Sequence, residues 1–431
     1  MNFITRLGLA LLCLLAAILG GVFAHSVSTH KGADVPSITK TTHWLGSWAS
    51  SQQIPEPRNT LPEGMLTDAT LRQIVRISFG GTRLRVRISN QYGTGTLRVE
   101  DVQIAGSADP NTSSIDTATS QQLTFSGELA VNIPAGAIYT TDPVTFAVKS
   151  LDHLAISMYL PKEPQGQTSH PGSRATSYVV KGRQSGAGAF VDPHTVNHWY
   201  QLSGLEIEAP SLSAAIIIVG DSITDGYGTK PNTDTRWPDF FMSRIQSDPV
   251  LKDRYSVLNH GIGGNSMLRN GLGPNVMARY DENVLDQKGG KYLVLLEGVN
   301  DFGRLSRNDE TQPSDYDQLV RDLKIAYAQI AATSREHGII PVGGTIMPFG
   351  GSTYYKPNDD TERARQDLND WIRNSKTFDN VIDFDAIMRA SDNPRILNPA
   401  YDSGDHLHPS IIGYEAMADH IPLDIFEGAP R

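Results

Sequence analysis

From Ala214 onward the chain repeats one unit: a short apolar run, a polar loop, then an amphipathic stretch. Few folds accept that rhythm. A run of four to eight apolar residues followed by a helix-period stretch is the pattern of a strand that returns through a crossover helix to a parallel neighbour. The predicted strands are 214–219, 256–259, 292–296, 339–343 and 381–384. The clearest helix follows Pro313, where Tyr316, Leu319, Val320, Leu323, Tyr327 and Ile330 recur at helical spacing and Gly338 ends the pattern. Residues 363–374 are a second, with Ala364, Leu368, Trp371 and Ile372 on one face. Between 42 and 210 the period is two instead. Segments 71–79 and 82–90 alternate about Gly80 and Gly81 as a hairpin would, and 123–125, 129–133, 144–148 and 154–159 continue the alternation. The expected architecture is an antiparallel β-sandwich domain over 42–210, then an α/β domain with a parallel sheet over 211–431.

The N-terminus predicts export. Residues 1–6 carry one arginine and the free amine, an apolar run covers 7–24, and Val22 and Ala24 offer small side chains before a cleavage point. This is the layout of a signal peptide over 1–24, followed by a linker over 25–41. The run approaches the lower length limit of a spanning helix, so an uncleaved anchor is the alternative. Either way the bulk of the chain is expected outside the cytoplasm, secreted or periplasmic, with no stable membrane association once the segment is removed. Cys13, the one cysteine of the sequence, lies inside that run behind Leu12, where a lipid acceptor would want a small neighbour. A mature chain without cysteine excludes disulfides, thiolate catalysis and Cys-ligated zinc together. With 37 basic against 47 acidic residues, a net charge of −10 and no local basic patch, nucleic acid is excluded as a partner.

In an open parallel sheet, ligands bind in the crevice beyond the carboxyl ends of the strands. Four of the five predicted strands end in reactive residue types. The first runs into Gly220-Asp221-Ser222, the second into Gly261-Ile262-Gly263-Gly264-Asn265, the third into Gly298-Val299-Asn300-Asp301, and the fifth leads to Asp405-His406-Leu407-His408. Each piece alone has a plain structural explanation. Ser222 could cap a helix, Gly263 and Gly264 could form a turn, Asn300 and Asp301 could cap the next helix, and Asp405 could close a loop. Their occurrence in order, each at a strand end, argues for a site.

These blocks resemble those of the SGNH branch of the GDSL esterase/lipase superfamily. Ser222 within Gly-Asp-Ser, Gly264, Asn300 in Gly-x-Asn-Asp, and the Asp-x-x-His of Asp405 and His408 match its four blocks, which span 220–408. The β-rich half is similar, more loosely, to the N-terminal domain of extracellular arylesterases and acetylxylan-type esterases. The resemblance implies a flavodoxin-like sheet of order 2-1-3-4-5, a serine nucleophile and no cofactor. The residue types suit that chemistry. A serine hydroxyl needs an imidazole to take its proton, and the imidazole needs a carboxylate to fix its tautomer, roles that Ser222, His408 and Asp405 can fill. The tetrahedral oxyanion needs donors, available as the Ser222 and Gly264 backbone N–H groups and the Asn300 amide.

Neighbouring residues carry rival readings. His406 and His408 form a His-x-His pair that could ligate a metal with Asp405, but no further His, Asp or Glu cluster completes a ligand set and its supporting shell, so no metal is expected. His260 reads as packed or solvated rather than as a base, and Asp221, Asp225 and Asp301 as bonded to their own loops. Gly261-Ile262-Gly263 starts like a dinucleotide turn, yet Ser266 stands where the third glycine belongs, which rejects NAD. Trp237, Tyr354 and Tyr355 are candidate walls of an acyl or sugar subsite, with core packing the equal alternative for Trp237. The expected function is a secreted serine esterase acting on short acyl esters, acetyl above all, of a sugar or acylated polysaccharide. The alternatives are a lipase or arylesterase on small lipidic or aromatic esters, and a non-catalytic carbohydrate-binding protein with a decayed hydrolase domain.

Overall fold

The computed structural model describes residues 41–428. The expected signal segment 1–24, all but the last residue of the linker 25–41, and residues 429–431 lie outside the described residues. Five strands pair in parallel in the spatial order Tyr255–Gly261, Ala214–Gly220, Gly290–Leu296, Ile340–Gly344 and Asn380–Ile382. In chain order this is 2-1-3-4-5. The connections reverse direction at the first strand, which opens a ligand crevice beyond the carboxyl ends of the first three. Ala214–Gly220 is the most enclosed of them: Ile216, Ile217, Ile218 and Val219 are at most 1% exposed. Each such side chain contributes about 1.5–3 kcal/mol of burial, and β-branching suits the pleat. The helix Pro313–Glu336 begins with proline in its first turn and ends before Gly338 at φ 73°, and it buries Tyr316, Val320, Leu323, Tyr327 and Ile330. Residues 381–384 do not form a strand throughout. Asp383 accepts from the Ala386 N–H and starts the helix Phe384–Met388 instead.

Before this sheet the chain builds two main antiparallel sheets, of five and seven strands. One contains Thr42–Ala49, Leu202–Pro210, Gly81–Ser89, Ile138–Thr140 and Val144–Val148. The other contains His194–Val196, Ser177–Lys181, Ala69–Arg76, His153–Leu160, Leu97–Ser107, Ile115–Gln122 and Ala130–Ile133. The expected hairpin about Gly80 and Gly81 is therefore corrected, because Ala69–Arg76 and Gly81–Ser89 belong to different sheets. The backbone of 77–80 is taken elsewhere: Ile77 N–H bonds Asp152 O, Ser78 N–H bonds Ser47 O, and Gly80 N–H bonds Ser150 Oγ. Local alternation identifies a strand without identifying its partner.

One apolar cluster runs from Leu45, Leu71 and Val86 in the antiparallel sheets through Leu258 and Ile217 in the parallel one. The two halves meet at the edge strand Tyr255–Gly261, where Val257 N–H donates to Ser78 Oγ at 3.0 Å and Gly46 approaches Leu258. The β-rich half thus covers an edge that would otherwise present unpaired backbone groups. Among the described residues no helix is long and apolar enough to cross a membrane.

Candidate active site

The first parallel strand delivers Ser222 to the crevice by a tight exit. A Cβ on Gly220 would stand 2.6 Å from Leu296 O, so only glycine lets the chain turn there. The single-turn helix Ser222–Asp225 follows at once, and its cap is Asp221, whose carboxylate accepts the Ile223 N–H at 2.9 Å. Ser222 is thereby relieved of the capping role that its residue type suggested. Its hydroxyl meets His408 Nε2 at 2.8 Å. His408 Nδ1 lies 2.6 Å from Asp405 Oδ2, so Ser222 and, 186 residues on, His408 with its partner Asp405 form one continuous hydrogen-bonded line. Ser222 and His408 are each 8% exposed, whereas Asp405 sits nearer solvent.

Asp405 is fixed from both sides. Its Oδ1 accepts the backbone N–H groups of Leu407 at 2.9 Å and His408 at 2.8 Å, leaving Oδ2 for the imidazole. Burial pushes this carboxyl up, but the hydrogen bonds from the His408 ring and backbone, the attraction of the ring and the Leu407 N–H outweigh it. The group is held well below the usual carboxylate range and is ionised across the neutral region. On its open side the His408 ring is covered by Tyr227, with ring centroids 4.2 Å apart.

Three residues past the second strand stands Gly264, left-handed at φ 73°, where a Cβ would strike Leu272 at 2.5 Å. The third ends in the helix Val299–Ser306, with Asn300 in its first turn. Asn300 Nδ2 donates to Asn265 O at 2.6 Å, and its Oδ1 accepts from the Tyr355 hydroxyl. A primary amide has two N–H bonds, and this pair of partners fixes its orientation while leaving the second N–H available. Among the described residues, neither the Ser222 nor the Gly264 N–H has a protein acceptor. The arrangement can therefore activate a hydroxyl and receive an oxyanion.

The remaining candidates separate. Tyr355 is buried and orients Asn300, which gives it a supporting place rather than a substrate-facing one. Tyr354 is exposed, with the Arg307 guanidinium 4.4 Å from its ring centre. Trp237 is 0% exposed and packs against Phe241 and Phe384, so its assignment as a subsite wall is corrected to core. Asp221 alone bonds its own loop. Asp301 accepts Met267 and Leu268 N–H groups from the neighbouring loop, and Asp225 faces His170 Nε2 at 3.0 Å and Arg174 from the β-rich half. Burial, then the nearby Asp301 and Asp225, raise Asp221 to about 7, and burial raises Asp301 to about 6. His260 is buried against Ser51, and burial first, then Arg279, keep it neutral. His406 points away to Asp402, and among the described residues no three His, Cys, Asp or Glu side chains could together hold a metal ion. Tyr227 was not singled out from sequence. Its position one residue past the glycine that ends the nucleophile's helix is the only local signal for it.

Asn300→Ala is expected to lower kcat by about 10²–10³ with little change in KM, because its donor acts on charge that develops in the transition state. Tyr355→Phe removes only the bond that orients the amide, worth about 1 kcal/mol, and should lower kcat about fivefold. Steady-state kinetics on a short ester checks both. A change confined to KM would move Asn300 to substrate binding.

The family model described as GDSL-like Lipase/Acylhydrolase matches residues 216–421. No curated protein matches the chain. Among solved structures, a GDSL-like lipase from Bacteroides thetaiotaomicron is similar at 19% identity and a TM-score of 0.36, over 50% of this chain and 89% of its own. A variant of an acetyl xylan esterase from Geobacillus stearothermophilus is similar at 19% identity and a TM-score of 0.37, over 51% of this chain and 99% of its own.

Proposed function

We propose that the chain, whose residues 216–421 match the GDSL-like lipase/acylhydrolase family model, is a carboxylic ester hydrolase of the serine type working through Ser222, His408 and Asp405. The observation that carries this reading is the line Ser222 Oγ to His408 Nε2 at 2.8 Å and His408 Nδ1 to Asp405 Oδ2 at 2.6 Å. Ser222 Oγ attacks the ester carbonyl as its proton passes to His408 Nε2, and the ionised Asp405 stabilises the imidazolium. The Ser222 and Gly264 N–H groups and the free Asn300 N–H receive the oxyanion. The proton returns from His408 to the leaving alcohol, and an acyl-serine remains. Water, deprotonated by the same imidazole, then releases the acid.

The substrate we propose is a short acyl ester, acetyl above all, on a sugar or polysaccharide. A long acyl chain gains about 0.8 kcal/mol per buried CH₂ and needs an apolar trough to collect it. The connections 268–274, 349–360 and 391–403 are instead rich in Gly, Asn, Pro, Asp and Tyr. Tyr227 covers the His408 ring, and the exposed Tyr354 packs on Tyr355, the residue that holds Asn300; an aromatic face suits a pyranose ring. We further propose that the chain is exported, and that residues 42–210 form a sandwich domain preceding a catalytic domain over 211–431.

An organophosphonate is expected to label the protein at Ser222 and to leave Ser222→Ala unlabelled. Acetyl p-nitrophenyl ester should turn over faster than octanoyl, with acetate released from acetylated xylan or a comparable glycan. Rates that climb with acyl length beyond butyrate favour a lipase. A fast acetyl ester with no acetate from any glycan leaves an arylesterase, and absence of labelling favours a non-catalytic binding protein.

A further inference from the structure

A single guanidinium lies behind the crevice. Arg279, in the short helix Val276–Tyr280, is buried and donates to five acceptors, none of them a carboxylate. Nε reaches Asn265 Oδ1 at 3.1 Å and Nη2 reaches Gly220 O at 3.2 Å. Nη1 reaches His260 O at 2.7 Å, Asn283 Oδ1 at 2.9 Å and Ser51 Oγ at 3.1 Å. We propose that Arg279 is the positioning residue of the oxyanion hole, and that the β-rich half takes part in setting that hole through Ser51. The inference rests on the serine-esterase reading.

The acceptors are the reason. Gly220 O belongs to the strand end two residues before Ser222, so its hold on the guanidinium fixes the approach of the Ser222 N–H. Asn265 follows Gly264, whose N–H is the second donor. The Asn265 side chain is clamped, its Oδ1 by Arg279 and its Nδ2 by Leu272 O at 3.2 Å and Pro274 O at 2.7 Å. The backbone carbonyl of the clamped residue takes the Asn300 amide at 2.6 Å, the third donor. One planar fork thus bonds to Gly220 O, two residues before the first donor, and to the side chain of Asn265, which follows the second donor and whose carbonyl accepts from the third. Preorganised donors stabilise charge only if they do not move when it forms.

Ser51 brings in the other half of the chain. Its Oγ accepts from Arg279, donates to Asn283 Oδ1 at 2.7 Å and lies 3.0 Å from His260 Nδ1. Its carbonyl meets His170 Nδ1 at 2.8 Å, and His170 Nε2 meets Asp225 on the nucleophile's helix. Burial lowers the guanidinium to about 10, which leaves it cationic at neutral pH. A lysine at this place would keep the charge but present three donors from one point instead of a spread fork.

The test is the full chain carrying Ser51→Ala or Arg279→Lys, with active sites counted by phosphonate titration so that only folded enzyme enters kcat. Ser51→Ala is expected to lower kcat per active site about fivefold, and Arg279→Lys about 10²-fold, with KM little changed. Affinity for a trifluoromethyl ketone, which forms a tetrahedral adduct on serine, should fall by the same factor as kcat/KM, as transition-state stabilisation requires. A structural role alone would lower the melting temperature and the count of active sites and leave both of these untouched. If Arg279→Lys does not fold, Ser51→Ala decides. Unchanged kcat per active site, or a loss confined to KM, overturns the proposal. A wild-type chain that neither hydrolyses esters nor takes the phosphonate instead overturns the esterase reading beneath it.

Discussion

Ser222→Ala and His408→Ala are each expected to lower kcat on an activated acetyl ester by about 10⁴–10⁶, with the double variant hardly worse than either single one. The non-additivity follows from the geometry. Without Oγ the imidazole has nothing to deprotonate, and without Nε2 at 2.8 Å the hydroxyl keeps its proton, so either loss removes the same nucleophile. Ser222→Ala deletes one atom at a site that keeps its cap from Asp221, and it should leave the melting temperature close to that of the wild type. A chelator should leave the wild-type rate unchanged. Both ring nitrogens of His408 already have partners in Ser222 and Asp405, and His406 is turned to Asp402. Activity lost to chelator and restored by zinc would sink the serine mechanism, as would a variant lacking Ser222 that still turns over.

What could be read from the sequence depended on how local each signal was. Asp405 and His408 stand three residues apart, and the backbone N–H groups that lock the carboxylate come from Leu407 and His408 within the same turn, so the motif carries its own geometry. The strand Val144–Val148 agrees residue for residue with its alternating segment, because alternation is a property of the strand itself. Pairing is not, and 71–79 and 82–90 look like a hairpin until Ser47, Ser150 and Asp152 take the backbone groups between them. Trp237 sits at helical spacing from Phe241 in a short helix after the nucleophile, a placement that fits a subsite wall as well as a core. Only Phe384, nearly 150 residues later, closes it in. The same distance effect hides the supports of the site. Ser51 and Arg279 are 228 residues apart, and Tyr355 and Asn300 are 55 apart, in segments with no shared period. Such residues are ordinary polar side chains in their own neighbourhoods and become supports only once the fold has brought their acceptors together.

Asp405→Asn should lower kcat by about 10⁴ although it changes one atom and leaves the fold intact. Asp405 Oδ1 accepts two backbone N–H groups, so the oxygen of an asparagine must occupy that place and its NH₂ must face the ring. His408 Nδ1 would then have to accept rather than donate, which puts the ring proton on Nε2 and points it at Ser222. In that tautomer the imidazole cannot act as base at any pH. The wild-type pH profile tests the same assignment from the other direction. The hydrogen bonds that hold Asp405 below the usual carboxylate range keep it ionised, so Asp405 is not the group whose protonation sets the acid limb of kcat/KM. Activity should fall as the pH drops and the base is protonated, since the imidazolium has no lone pair for the serine proton. A profile flat to about pH 4, or an Asp405→Asn enzyme within about tenfold of the wild type, would remove the carboxylate–imidazole pair from the mechanism.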